Sequence, residues 1–140
     1  METIVKLQGI GIIVKDIEKT AALFKKLFGL SDEEIQILPP PGSETEIRFA
    51  FMRAGGIDME LIQPISDHFK QLLGNPREGL NHVGFLVKDI EGTVKLLASK
   101  GVGLGHVTKN GILDGTKCKV AFLNPEATDG VLIELVEPKG

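Results

Sequence analysis

Apolar and polar positions in the first thirty residues change their spacing once, from a strand-like to a helix-like pattern. Residues 4–14, IVKLQGIGIIV, are rich in β-branched side chains and alternate as a β-strand does. The next segment, DIEKTAALFKKLFGL, has apolar residues at helical spacing and lysines on the opposite side. Asp16 is placed to cap this helix at its start, and Gly29 to end it in a left-handed conformation. The pattern predicts a strand followed by an amphipathic helix.

The same pattern returns in the second half of the chain. Residues 10–20, IGIIVKDIEKT, reappear as VGFLVKDIEGT at residues 83–93 with seven of eleven positions identical. MELIQP at 59–64 likewise reappears as IELVEP at 133–138. The offsets of 73 and 74 residues nearly agree, so the repeated unit is about half of the chain. Positions that correspond in the two copies are therefore the first place to search for chemistry.

Short strand-like segments separated by turn residues fill the rest of each copy. They are residues 35–38, 45–52 and 57–63 in the first copy, and residues 102–107, 117–123 and 131–137 in the second. Each half therefore predicts the order strand, helix and three strands. Because 140 residues is the size of one domain, we expect modules 1–64 and 80–140 to form a single domain, joined by a linker helix within 65–79.

Composition restricts the kind of partner. The chain has 42% hydrophobic residues, 25% charged residues and a net charge of -3, which argues against nucleic acid as the main partner. Its apolar runs are only as long as strands, so no membrane span is predicted. The single cysteine, Cys118, excludes an internal disulfide framework, and the N-terminal residues do not resemble an export signal. We therefore expect a cytoplasmic protein with a small-molecule ligand.

The first strand of each copy has one crowded face and one open face. Large apolar residues, suited to the side under the helix, are Ile10, Ile12, Val14, Val83, Phe85 and Val87. The opposite face carries Gly9, Gly11 and Ile13 in the first copy, and His82, Gly84 and Leu86 in the second. Paired glycines leave open volume and weaken a strand, so we expect this face to line a cleft.

A carboxylate stands in the last strand of each copy, within a run otherwise suited to burial. These residues are Glu60 in GIDMELI and Glu134 in GVLIELV. Because burying an unpaired carboxylate is costly, each needs a counter-charge, and a bound cation would supply one. The strand-end residues Gln63 and Glu137 are easily solvated, so no functional role is needed to explain them.

Several segments resemble the vicinal oxygen chelate superfamily, which includes glyoxalase I. They are HVGFLVKDIE, the Gly-Gly turn into ELIQP, and the ending KVAFLNPEATDGVLIELVEP. Within that superfamily the chain most resembles methylmalonyl-CoA epimerases, over essentially its whole length. The resemblance implies an α+β fold in which two βαβββ modules form an open, eight-stranded, barrel-like cleft that binds one divalent metal.

The resemblance also implies metal ligands at four positions, which correspond here to Gly9, Glu60, His82 and Glu134. Gly9 cannot ligate; family members usually have histidine there, in a stretch like DHIGIAV where this chain has QGIGIIV. Glu60, His82 and Glu134 remain a reasonable ligand set for Co, Mn, Ni, Zn or Fe, with weaker affinity than a complete set.

A second departure from the family lies in the strand 45–52. Some epimerases carry a glutamate acid/base on its inward face, whereas Ile47, Phe49 and Phe51 give an apolar wall here. The nearest acids, Glu44 and Glu46, lie at the start of the strand. The residues expected to line the substrate cleft are Gly9, Gly11, Phe49, Phe51 and Gly84.

Two functions of different classes are compatible with these residues, and a third is weaker. The first is a metal-dependent isomerase, epimerase or lyase acting at the carbon next to a carbonyl, with an acyl-CoA substrate, Glu134 as ligand and candidate base, and a homodimeric assembly. The second is a metal-free binding protein of the bleomycin-resistance type, which Gly9 and the apolar wall favour and the two carboxylates disfavour. A ring-cleaving dioxygenase normally needs two histidines and one carboxylate on iron, and only His82 corresponds.

Overall fold

Each half of the chain folds in the order strand, helix and three strands, as the pattern predicts. The structure, a computed structural model, describes residues 3–40 and 45–140. Its elements are β1 Ile4–Ile13, α1 Ile17–Phe28, β2 Gln36–Leu38, β3 Ile47–Ala54, β4 Ile57–Pro64, α2 Asp67–Leu72, β5 Gly79–Val87, α3 Ile90–Ser99, β6 Leu113–Asp114, β7 Cys118–Phe122, a 3₁₀ helix Pro125–Ala127, and β8 Ile133–Pro138. The predicted α+β class with two βαβββ modules is confirmed.

The chain forms two compact units with the same topology. One unit is Gly9–Asn81, with the strand order β2-β3-β4-β1 and a parallel pairing of β1 with β4. The other is His82–Gly140 together with the start of the chain as far as Gln8, with the order β5-β8-β7-β6 and a parallel pairing of β5 with β8. The predicted combination of modules 1–64 and 80–140 in one domain stays a prediction.

In each unit the long helix covers one face of its strands. The first core contains Val14, Ile17, Ala21, Ile35, Ala50, Met52 and Leu61, with Ile12 packed against it. The second contains Val87, Ile90, Ala121, Leu123 and Leu135, with Phe85 packed against it. Full burial of each large aliphatic side chain stabilises the fold by roughly 1.5–3 kcal/mol. The crowded face of each first strand therefore lies under the helix, as predicted.

Both long helices begin with the same pair of acceptors. The Asp16 carboxylate accepts a hydrogen bond from the Lys19 backbone N–H, and Asp89 accepts one from Gly92. A second acceptor comes from the end of the last strand: Gln63 Oε1 lies 3.0 Å from Ile17 N, and Glu137 Oε1 lies 3.1 Å from Ile90 N. These N–H groups have no partner within the helix. Gln63 and Glu137 therefore have a structural role at the helix starts, which the sequence did not reveal.

The predicted strand 102–107 is also wrong. Within it, Leu104 makes an isolated bridge to Leu123, and the second strand of the module is instead β6. A Cβ added at Gly105 would lie 2.7 Å from the Leu123 carbonyl oxygen, which real side chains do not tolerate. Gly105 thus allows a close, irregular backbone contact in place of a regular ladder.

The connection between the modules contains the short helix α2, which lies within the predicted segment 65–79. Ser66 caps it by accepting a hydrogen bond from the Phe69 backbone N–H at 3.1 Å. Among the helices in residues 3–40 and 45–140, none has the length and apolar character needed to cross a membrane.

Replacing Gln63 by methionine is expected to lower the free energy of unfolding by about 1–2 kcal/mol, because the part-buried Ile17 N–H loses its acceptor. The matched control is Gln71→Met on the exposed side of α2, with an expected change below about 0.5 kcal/mol. Urea unfolding of the three proteins measures both values. Equal effects of the two substitutions would show that Gln63 does not act as a cap.

Candidate functional site

A glutamate in each unit lies between a glycine and a phenylalanine of the neighbouring strands. Glu60 pairs with Gly11 on β1 and Phe51 on β3, and Glu134 pairs with Gly84 on β5 and Phe122 on β7. Directly paired residues project from the same face of a sheet. We call each set a glycine–glutamate–phenylalanine row. The structure thus places Gly11 and Phe51 of the predicted cleft beside Glu60, and Gly84 beside Glu134.

Both rows lie on the sheet face opposite the helix. Leu61 and Leu135, which follow the two glutamates, belong to the helix-covered cores. Because successive side chains of a strand point to opposite faces, Glu60 and Glu134 project away from those cores. Both carboxyl groups therefore lie on the sheet face that the helix does not cover.

The surroundings of Glu60 disfavour its charged form. The residue is half-buried, and burial raises the pKa of its carboxyl group to about 7. Its neighbour Phe51 stacks with Phe49 at a centroid separation of 6.2 Å, so aromatic surface bounds one side of the carboxyl group. Burial therefore favours the protonated form of this carboxyl group well above the pH at which an exposed glutamate ionises.

In the other unit, His82 and Glu134 lie together. His82 Nε2 is 3.6 Å from Glu134 Oε1, and the two side chains are 5% and 17% exposed. The His82 ring packs edge-on against Phe122 with centroids 5.2 Å apart. Burial lowers the pKa of His82 to about 4, so the imidazole is neutral at pH 7. At 3.6 Å the two atoms are too far apart for a direct hydrogen bond. Because the imidazole is neutral at pH 7, the two side chains do not form a charged ion pair.

The chemistry and spacing of this pair fit two ligands of one divalent cation. Imidazole nitrogen and carboxylate oxygen bind such ions at about 2.0–2.2 Å, which places neighbouring ligand atoms about 3–3.5 Å apart. The observed 3.6 Å is close to that separation. A neutral imidazole is also the form that binds a metal. Imidazole and carboxylate are ligands that Zn, Co, Ni, Fe and Mn accept.

Comparison with known proteins identifies the family. Residues 8–122 match the model described as the glyoxalase/bleomycin resistance protein/dioxygenase superfamily. The chain belongs to this superfamily. It is 30% identical over 137 residues to the uncharacterised protein YqjC of Bacillus subtilis (strain 168), covering 96% of this chain and 94% of that protein.

Two methylmalonyl-CoA epimerases are similar over nearly the whole chain. The mitochondrial enzyme of Homo sapiens is 31% identical over 134 residues, covering 93% of this chain and 72% of the human protein. The crystal structure of the Mycobacterium tuberculosis enzyme superposes with a TM-score of 0.77 at 23% identity, covering 100% of this chain and 92% of that one. The predicted glyoxalase-like fold and the predicted resemblance to methylmalonyl-CoA epimerases are both confirmed.

The backbone around Gly9 leaves no room for a side chain at this predicted ligand position. Gly9 pairs with Asp58 on β4, and a Cβ added at Gly9 would overlap the Asp58 carbonyl oxygen. A histidine at this position would therefore require β4 to move. The expected open volume beside Gly9 is filled by the β4 backbone, so this glycine serves close strand packing.

The apolar wall predicted on β3 has the expected orientation. Phe49 pairs with Ile62, and Phe51 pairs with Glu60, so the wall shares the face of Glu60. Glu46, before β3, is exposed, and its backbone carbonyl oxygen accepts hydrogen bonds from Ile65 and Ser66. Glu44 lies outside the described residues. Strand β3, Ile47–Ala54, thus places no carboxylate beside Glu60.

Sequence reasoning missed Phe122, which contacts the His82 ring. A signal was present, because Phe122 follows Phe51 by 71 residues and occupies the same place in its row. An apolar residue in a strand is usually part of a core, so Phe122 could be assigned to the site only once the strand register was known.

A separate group of carboxylates surrounds the start of α3. Oxygens of Asp89, Glu91 and Glu137 lie within 4.8 Å of one another. Asp89 and Glu137 accept helix N–H groups, and Glu91 pairs with Lys119 at 2.7 Å, a hydrogen bond that lowers the pKa of Glu91. These contacts explain the group as the capping of a helix.

The two pKa shifts have opposite effects on stability. The carboxyl group of Glu60 ionises near 4.5 in an unfolded chain but at about 7 in the fold, so its stabilising contribution at low pH is lost as pH rises through this window. His82 protonates near 6.5 in an unfolded chain but at about 4 in the fold, so its contribution is lost as pH falls from 6.5 to 4. Each shift corresponds to about 3 kcal/mol.

In the metal-free protein the pH dependences of stability due to Glu60 and His82 largely cancel. A substitution of either residue should therefore reveal the pH dependence due to the other. Relative to wild type, Glu60→Gln should gain about 3 kcal/mol of stability as pH rises from 4.5 to 7, whereas His82→Asn should lose a similar amount between pH 4 and 6.5. Urea unfolding at stepped pH, with a chelator present, measures both differences. Two flat difference curves, or two of the same sign, would contradict the described environments.

Proposed function

We propose that the chain is a metal-dependent isomerase that acts at the carbon next to a carbonyl, with methylmalonyl-CoA or a similar acyl thioester as its substrate. The observation that carries this proposal is the spacing of His82 and Glu134, a neutral imidazole and a carboxylate 3.6 Å apart. Homology to methylmalonyl-CoA epimerases supports the substrate class. A cytoplasmic location and a homodimer stay predictions.

In this proposal His82, Glu134 and Glu60 hold one divalent cation. When bound, the cation would polarise the substrate carbonyl and acidify the neighbouring C–H group. His82 needs no deprotonation before binding at pH 7, because burial already keeps the pKa of its ring at about 4. Glu60 must lose its proton to ligate, so metal affinity is expected to rise with pH up to about 7.

Glu134 is the proposed base. A carboxylate that is 17% exposed on the ligand-facing side of β8 can reach a substrate proton, while Phe122 and the β5 backbone at Gly84 restrict water beside it. Epimerisation also needs a proton delivered to the opposite face of the carbon. Proton exchange at that carbon needs one base alone, so exchange is the more direct test of this site.

A metal-free binding protein is the second candidate, and two observations favour it. The β4 backbone at Asp58 leaves no room for the histidine ligand that Gly9 replaces. In addition, the raised pKa of Glu60 lets this carboxyl group stay neutral without a cation. The objection that a metal-free site would contain two buried negative charges is therefore weaker than the sequence alone suggests.

The test combines metal analysis with deuterium exchange. Protein purified without chelator is analysed for metal, and deuterium uptake at C2 of methylmalonyl-CoA is then followed in D₂O by NMR. We expect one equivalent of divalent metal in the wild type and an exchange rate that falls at least about 100-fold in Glu134→Gln, because this residue is both the proposed base and a proposed metal ligand. The control Glu33→Gln, on an exposed loop, should keep the wild-type rate.

Three results would decide against the isomerase. An undiminished exchange rate in Glu134→Gln would show that Glu134 is not the base. An undiminished exchange rate after complete metal removal would show that the reaction does not depend on metal. Tight binding of an acyl thioester with neither metal nor exchange would support the binding protein.

A further inference from the structure

We infer that a groove in the Gly9–Asn81 unit binds the phosphate-bearing end of the substrate's carrier, such as the diphosphate of coenzyme A. This inference rests on the proposed acyl thioester substrate and assigns a second contact region for it. The groove lies where β1 and β4 end and α1 begins, and it extends to α2 and the segment that follows.

Two adjoining cavities form this groove. Their volumes are about 460 and 1020 Å³, and they share the lining residues Ile13, Val14, Lys15, Gln63 and Glu78. The smaller cavity also contacts Pro64, Ile65 and Lys70, and the larger contacts Lys19 and Leu23. Sites for drug-sized molecules have volumes of roughly 300–1,000 Å³ and combine an apolar lining with a few polar groups. The groove has both properties.

The polar groups of the groove are mainly cationic. Lys15, Lys19 and Lys70 line it, and within the described parts of the chain none of their ammonium groups has a carboxylate at ion-pair distance. Of the two lining acids, Asp16 is committed to capping α1, which leaves Glu78. Three clustered ammonium groups therefore favour a multiply charged anion.

The positive charge of the groove is not a feature that the two copies of the module share. Lys15 has a counterpart in Lys88, but the second copy has Gly92 in place of Lys19 and Glu137 in place of Gln63. The corresponding corner of the second unit is acidic, with the Asp89, Glu91 and Glu137 carboxylates close together. Only one of two related corners is thus cationic, as expected if it alone contacts an anion.

The position of the groove suits a long ligand whose other end lies at the Glu60 row. Ile13 lines the groove and is two residues beyond Gly11, the β1 partner of Glu60, which is about 7 Å along a strand. A carrier with a flexible arm between its acyl group and its phosphates can reach both places. A free nucleoside diphosphate shares the phosphate chemistry but lacks the arm.

The experiment measures binding by calorimetry in chelator, so that it is independent of metal and of turnover. The probes are coenzyme A, pantetheine, ADP and inorganic pyrophosphate. The test variant is Lys15→Ala/Lys19→Ala/Lys70→Ala. The matched control is Lys88→Ala/Lys95→Ala/Lys100→Ala, which removes the same charge from exposed positions of the other unit.

We expect coenzyme A to bind the wild type and the control alike, and to bind the test variant at least about tenfold more weakly. Pyrophosphate should compete, higher salt should weaken binding, and pantetheine should bind poorly. Weaker binding of ADP than of coenzyme A would support a contact between the protein and the flexible arm of the carrier. Equal affinities would show that the groove recognises only a nucleotide diphosphate, and would overturn the inference that it binds an acyl carrier.

Other results would overturn the inference itself. They are absence of coenzyme A binding at millimolar concentration, equal affinity in the test variant and wild type, or an equal loss in the control. Failure of the proposed function has a different signature, because C2 exchange would be absent while coenzyme A binding still depended on the three lysines. Exchange by wild type together with unchanged binding in the test variant would refute the groove and leave the isomerase intact.

Discussion

The parallel pairing between the first and last strands of each module is the constraint on which the site depends. It aligns Gly11 with Glu60 in one unit and Gly84 with Glu134 in the other, while the antiparallel neighbour adds Phe51 or Phe122. A shift of one residue in this register would turn each glutamate into the helix-covered core, where an unpaired carboxylate is strongly unfavourable. The register therefore gives each unit a carboxyl group on the sheet face opposite its helix.

The two copies keep this geometry and differ in chemistry. His82 stands at the position of Gly9, so one unit pairs imidazole with carboxylate, and in the other the β4 backbone packs closely where an imidazole would begin. At the helix starts, Gln63 and Glu137 do the same capping work with different charge. The two copies thus share one backbone arrangement, in which Glu134 lies beside an imidazole and Glu60 is desolvated by burial.

The helices and strands could be predicted because the signals for them lie within a few residues. The features that depend on contacts between distant residues could not be predicted. Alternation, helical spacing, the Asp16 and Asp89 caps and Gly29 all act within a few residues, so the element order and the crowded faces follow from them. The strand predicted at 102–107 is wrong because Gly105 packs against the backbone of Leu123, 18 residues further along the chain. The acceptor roles of Gln63 and Glu137, the obstruction at Gly9 and the contact of Phe122 with His82 likewise depend on register, which no local pattern contains.

Direct titration of Glu60 measures whether this sheet face desolvates the carboxyl group that we propose as a metal ligand. Protein labelled with ¹³C at glutamate side chains, stripped of metal and assigned with Glu60→Gln, would be followed by NMR against pH. We expect a pKa of about 7 for the Glu60 carboxyl group without metal, and a clearly lower pKa when zinc or cobalt is added. A value near the ordinary 4.5 in both conditions would contradict it.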